Sequence, residues 1–551
     1  MKNFRVKRVH IICLAIATAE ILIAAFVLWK NALWDANTVQ TAREQTALSM
    51  VQSETQPKRQ SETQAEAQVG ATDETACEEN GSDPSDTKTN QSAAEGENVV
   101  QTQMIPVAET VTNESSESIS TSAQAQLSMR VKLKNSDNTS YQHDQVVITC
   151  ADTFHIQSGT KEQIFTGGQS VTITPQHPFF QEGAIRVASE SGVVTIDSIL
   201  RRGISHEYEG VLDLYLEDQR IVIVNELPLE AYVSKVVPSE MPASYGIEAA
   251  KLQAVCARTY AYERILHQKT IDAYGSYVDD SVDYQVYNSA GYQEVSAQGA
   301  IQTAGVIMVR DGAPIVPYYF STSCGYTSDN LAWSGNQSLP YLISRNLTGQ
   351  ADQDMTIEEN ISAFLQDWDA PGLESGLAWY RWRCEISLVM LQELFAARLA
   401  QLAAVQSECI QVTGGSLEIV TESALKSVQV TGRFAGGMAS GLLLDYEAGQ
   451  VTVTGELVMR KLLGEPNRTY QNQSEETVSL SEGDYLPSAF FCLLPVMKEG
   501  TLTDYVICGG GNGHGIGLSQ NAAYRLLEQG KNWQEILVFF YQGIAFDTIS
   551  C

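Results

Sequence analysis

From Asp35 to Ala125 the chain runs for 91 residues without a single Phe, Trp or Tyr. Gln, Thr, Ser, Glu and Ala dominate, and sixteen acidic residues stand against four basic ones. Such a segment cannot bury enough apolar surface to offset its chain entropy. It is expected to be a disordered linker, spanning about 50 Å root-mean-square as a flexible coil. It separates a short N-terminal piece from about 425 residues, enough for two or three lobes around real cores.

Lys2, Arg5, Lys7 and Arg8 precede residues 9–29, a mostly apolar run of 21 that would be about 31 Å long as a helix and could cross a bilayer. Glu20 and His10 interrupt the run, and bulky Trp29, Leu33 and Trp34 stand where a signal-peptide cleavage site would need small residues. We expect residues 1–34 to be an uncleaved signal anchor, with the N-terminus in the cytoplasm and the remainder extracytoplasmic. A cleaved signal peptide is the alternative. The net charge of −31 argues against nucleic acid as a partner. Ten cysteines are present without any C-x-x-C or C-x-x-H spacing, so neither a zinc finger nor a redox motif is visible.

Residues 126–225 alternate in short β-type runs, "MRVKLKN", "QVVITC", "SVTITP", "GVVTIDSI", "VLDLYLED" and "RIVIVNELP", broken by Gly, Asn, Asp and Ser. They predict a β-rich lobe. Residues 225–237 read as a short helical approach with Pro228 near its start and Pro238 closing it, which leaves Glu240 on a connection before Pro242. Beyond Pro242, Ala250, Ala254, Ala257, Ala261 and Ile265 recur at helical steps as a thin ridge suited to very close packing. Lys251, Val255, Arg258 and Tyr262 share another face, which sets Arg258 beside a groove. Glu240 either complements the dipole of the following helix and pairs with an arginine, or is a carboxylate with chemistry to do.

Two further stretches bear on that choice. In "YYFSTSCGYTSDN", residues 318–330, the hydroxyls of Ser321, Thr322, Ser323 and Thr327 both donate and accept, which suits a sugar, although ordinary turn chemistry also accounts for them. "YVICGGGNGHGIGLSQNAAYRLLEQG", residues 505–530, reads as strand, glycine-rich loop and helix, yet fits neither G-x-G-x-x-G nor the P-loop spacing. Its glycines let backbone approach a groove that would present His514. A lone histidine is also a common structural residue.

The motifs "VNELPLEAYVSKVVPSEMPASYGIEAAKLQAVCARTYA", "YFSTSCGYTS", "LPYL", "LPSAFF" and "GGGNGHGIGLSQNAAYRLLEQGKNWQEILVFFYQG" resemble, in order, those of the SpoIID/LytB family. They cover about residues 200–350 and 425–545. The resemblance implies a cell-wall lytic transglycosylase used when a mother cell engulfs its forespore, or a vegetative relative that enhances an amidase. The family's catalytic glutamate falls on Glu240, its helix arginine on Arg258 and its tyrosine on Tyr341. Substrate contacts are expected from Arg258, Ser321, Thr322, Ser323, Thr327, Tyr341, His514 and Gln520. Two departures stand out. Phe320 and Cys324 occupy places where many relatives have His and Gly; some clostridial relatives hold zinc with His and Cys, and with Phe320 here no metal or other cofactor is expected. Ile343 replaces a basic residue often found two positions after the tyrosine, a contact that Arg345 could supply.

Most glycosidases need two carboxylates. A lytic transglycosylase needs one, because the muramyl C6 hydroxyl itself attacks C1. The chain is thus expected to be α+β, a two-lobed, β-rich extracytoplasmic region with a few short helices. Its segments are the anchor, the linker, the β-rich lobe, a catalytic segment at 226–350, a second lobe or insertion at 351–480 and a closing segment at 481–551. Expected partners are peptidoglycan glycan strands, a cell-wall amidase, other engulfment proteins and the membrane through residues 9–29. The competing expectation is a non-catalytic wall-binding enhancer of an amidase.

Overall fold

A computed structural model describes residues 127–550 apart from 335–336, 466–467, 475 and 480–484. The expected membrane span at 9–29 and the linker at 35–125 lie outside these residues. The architecture is mixed helix and strand, with sheets predominating. Each of the six β-type runs contains a strand, and in Ser128–Leu133 the inward residues are Met129, Val131 and Leu133, the period of two that a one-sided sheet requires. That strand pairs antiparallel with Arg220–Pro228, which pairs in turn with Val211–Glu217 inside a seven-stranded sheet. A four-stranded sheet supplies Val146, Ile148, Ile173, Val194 and Ile196 to the same core.

The expected helical approach at 225–237 begins later and ends later than its prolines suggested. The β-branched run Ile221–Val224 carries the strand through to Pro228, so residues 225–228 are strand. The glutamate helix then spans Leu229–Glu240 with Pro238 inside its last turn, where only one hydrogen bond is forfeited. Glu240 is therefore the final helical residue, not part of a connection. A turn over Ala243–Tyr245 and Gly246 at φ 86° lead into the alanine helix, Ile247–Leu266.

The alanine helix lies between two cores. Ala250, Ala254, Ala257 and Ala261 join the first, while Leu252, Val255 and Cys256 join a second with Met308, Leu342, Ile516, Leu518 and Tyr541. The ridge allows close approach as expected: a methyl placed on Gly299, in the helix Glu294–Gln302, would lie 2.5 Å from the Ala250 Cβ. A third core gathers Trp382, Leu391, Phe395, Leu399, Leu442 and Val453. Residues 127–550 belong to one compact unit with three cores. The helix Leu388–Val405, which lies between the two motif-bearing stretches 200–350 and 425–545, is long and apolar enough by length and composition to cross a membrane, and its Leu391, Phe395 and Leu399 are buried in the third core.

Candidate active site

Glu240 sits where three sequence-distant segments converge. The Val286 N–H donates to its Oε1 at 2.6 Å, and the Tyr319 hydroxyl and the Gln520 side chain also bond its carboxylate. Gln520, the first residue of the closing helix Gln520–Glu528, additionally donates to the Glu240 backbone carbonyl at 3.1 Å. Behind Tyr319 runs a relay: Tyr232 donates to the Gln285 carbonyl at 3.0 Å, and the Gln285 amide donates to the Tyr319 hydroxyl at 3.1 Å. Tyr319 reaches this place because Tyr319–Phe320 pairs in parallel with Leu518–Ser519, which brings the hydroxyl-rich loop beside the glycine-rich one.

These donors stabilise the ionised carboxylate, but desolvation outweighs them and pushes the Glu240 pKa up to about 7. The negative end of its own helix works in the same direction. The residue as a whole is half-buried. A carboxyl group whose pKa lies near neutrality can give and take a proton from a bound molecule.

The other expected site residues divide. Gln520 touches Glu240, as described. Ser321 is partly exposed and lies 3.1 Å from the Thr322 hydroxyl, which accepts from Asn521 Nδ2 at 2.9 Å. Ser323 and Thr327 point inward. Ser323 bonds the buried Glu374, and the Thr327 hydroxyl accepts the Arg345 N–H at 2.9 Å. Neither offers its hydroxyl to a sugar, because both are spent holding the loop. Tyr341 is likewise placed in the second core, where its hydroxyl accepts the Val316 N–H at 3.1 Å.

Arg258 requires a correction. It is 0% exposed, and its guanidinium forks onto the Glu230 carboxylate at 2.6 and 2.7 Å and donates to the Ala300 and Val306 carbonyls, both at 3.2 Å. The helical face expected to open on a groove is covered by the start of the glutamate helix and by neighbouring backbone. Arg258 therefore ties that helix down instead of gripping a ligand.

His514 is also engaged on both sides. Its Nε2 lies 2.9 Å from the Tyr319 carbonyl and its Nδ1 accepts the Ile516 N–H at 3.1 Å, which defines a neutral Nε2–H ring. Burial among Tyr318, Phe320 and Trp333 lowers its pKa to about 3. The residues do not fit a zinc ion: Phe320 carries no donor, Cys324 is buried with its thiol toward the Tyr326 carbonyl, and the His514 nitrogens are taken. Among the described residues no cluster of three or more His, Cys, Asp or Glu is placed to hold a metal.

Tyr319, Gln285, Val286, Asn521 and Glu374 were not anticipated. Tyr319 stood inside a quoted motif, but nothing local told its ring from the neighbouring Tyr318. Asn521 stood inside another, directly after Gln520, and Gln285, Val286 and Glu374 have no local signal.

A strand runs into the glutamate helix, an alanine helix packs against it, and the helix that follows the Gly-His-Gly loop closes on the one carboxylate. Residues 217–309, which contain both helices, match the family model described as Stage II sporulation protein. The chain is similar to the amidase enhancer of Bacillus subtilis, 26% identical over 316 residues, which are 57% of this chain and 40% of that protein. It is also similar to the stage II sporulation protein D of Bacillus amyloliquefaciens, 26% identical over 334 residues, covering 58% of this chain and 74% of that protein. The protein of the same description from Bacillus subtilis is 37% identical over 134 residues, which cover 22% of this chain and 39% of that protein.

Proposed function

We propose that the chain is a membrane-anchored lytic transglycosylase that cleaves the β-1,4 bond between N-acetylmuramyl and N-acetylglucosaminyl units of peptidoglycan. The observation that carries this reading is Glu240, a half-buried residue whose carboxyl group is pushed up to a pKa of about 7 by desolvation. Protonated, it donates to the glycosidic oxygen as the C1–O bond breaks. Ionised, it then takes the proton of the muramyl C6 hydroxyl as that oxygen closes onto C1, giving a 1,6-anhydro end. The balance is complete without water, and an intramolecular attack of this kind has an effective molarity on the order of 10⁵ M when oriented. Val286 and Tyr319 would fix the carboxyl orientation.

Strands already stripped of stem peptides are the proposed substrate, because a peptide on the lactyl group hangs beside the scissile bond and competes for the space around Glu240. The likeness to the sporulation proteins supports a role in sporulation and engulfment, on the outer face of the membrane. A second reading, a non-catalytic enhancer of a wall amidase, is favoured by the similarity to the amidase enhancer over more than half of the chain.

Glu240→Gln separates the two. The amide keeps shape but shuttles no proton, so release of anhydro-muramyl ends from amidase-treated wall should stop while glycan binding persists. Cleavage within about tenfold of the wild type would refute the single-acid mechanism. Absence of cleavage by the wild type, together with equal stimulation of an amidase by both proteins, would establish the enhancer.

A further inference from the structure

Glu374 comes from the stretch 351–424, which matched no motif, yet it lies where both motif loops meet. It is 0% exposed. Its carboxylate accepts the Ser323 N–H at 3.0 Å and the Ser323 hydroxyl from the hydroxyl-rich loop. From the other side it accepts the Ser519 hydroxyl at 2.7 Å and the Ala522 N–H at the first turn of the closing helix. One carboxylate thus clasps two segments separated from it by 51 and 145 residues.

The residue next to Ser519 is Gln520, which bonds Glu240; the residue after it, Asn521, bonds Thr322. Among the described residues no Lys, Arg or His forms an ion pair with Glu374, and burial pushes its pKa up to about 7. The groups around it are not positive partners. The Cys324 thiol is pushed up to about 11 and the Tyr380 and Tyr245 hydroxyls are raised, so all three stay neutral. The nearby Arg381 guanidinium is spent on the Cys324 and Tyr380 carbonyls, both at 2.8 Å. An uncompensated buried carboxylate opposes folding. Its stabilising contacts all go to the two segments that shape the site.

We propose that Glu374 is a positioning residue of the Glu240 site: by joining Ser323 to Ser519 it sets the hydroxyl-rich loop against the closing helix and so fixes Gln520 on Glu240. The proposal rests on the reading of Glu240 as acid and base. Its test uses the full-length protein with Glu374→Gln, Ser323→Ala, both together, and Glu240→Gln. Near-ultraviolet circular dichroism and thermal midpoints establish folding, and kcat and KM are measured on amidase-stripped glycan.

Glu374→Gln should fold, with kcat reduced at least about tenfold and KM changed less than about threefold. The wild-type limb of kcat that rises between about pH 5 and 7 as Glu374 ionises should flatten. Adding Ser323→Ala should cost nothing more, since the two act through one contact. An unchanged pH profile with kcat within about twofold of the wild type overturns the proposal. Should Glu374→Gln fail to fold, Ser323→Ala carries the same expectation, and an unaltered kcat there overturns it. If the wild type cleaves nothing, the acid and base reading has failed, and affinity for the stripped glycan decides. Weakening by at least about tenfold in Glu374→Gln but not in Glu240→Gln sustains positioning, and equal affinity refutes it.

Discussion

Replacing Arg258 by Ala should unfold the neighbourhood of the alanine helix more than it disturbs ligand binding. The guanidinium is fully enclosed, makes two charge-assisted bonds to Glu230 and satisfies the carbonyls of Ala300 and Val306. Truncation takes the guanidinium from the Glu230 carboxylate, which is 29% exposed and also accepts the Gly305 N–H at 3.0 Å, and strips the Ala300 and Val306 carbonyls of a donor. Breaking a buried pair from one side costs about 3–5 kcal/mol, against at most about 1 kcal/mol for an exposed pair. That is a large part of a typical stability of about 5–15 kcal/mol. Urea titration followed by circular dichroism measures it directly. Because removing one partner of a buried pair costs more than replacing both by apolar groups, Arg258→Met combined with Glu230→Leu should cost less than Arg258→Ala alone. Glycan affinity of the folded fraction should stay near the wild-type value. If Arg258→Ala were within about 1 kcal/mol of the wild type yet lost glycan affinity, the guanidinium would be a ligand contact after all.

Gly299→Ala should destabilise by about 1–3 kcal/mol in the same titration, because the new methyl meets backbone of the alanine helix at Ala250 and Lys251 that cannot swing aside. For both Glu240 and Glu374 the folded pKa of about 7 lies above the ordinary glutamate value of 4.5. Each raised pKa favours the fold fully below pH 4.5, and that contribution is lost as pH rises through about 7, by up to about 3 kcal/mol per group. Thermal midpoints of the wild type should therefore fall across that window, and Glu240→Gln or Glu374→Gln should each flatten the slope. An identical slope in either variant would show that its carboxylate is not held in the neutral form.

Local sequence determined the elements that depend on neighbours a few residues away. Alternation in "MRVKL" needs only a strand with one buried face, and the alanines at steps of three and four need only a helix with a close neighbour. Gly-His-Gly-x-Gly and Glu-Met-Pro were legible as backbone that must bend tightly around something. The resemblance singled out Glu240, since composition alone left it between a dipole partner and an acid. What the tertiary structure decided is which side chains are free. Arg258, Tyr341, Ser323 and Thr327 have types and spacings that suit a ligand, yet each is consumed by a partner at least 18 residues away. Glu374 had no local mark, because its desolvation and its four donors arise only when segments 51 and 145 residues distant fold over it. Burial and proton affinity are sums over everything that surrounds a group. A chain's order gives the group, and only its folding supplies the surroundings.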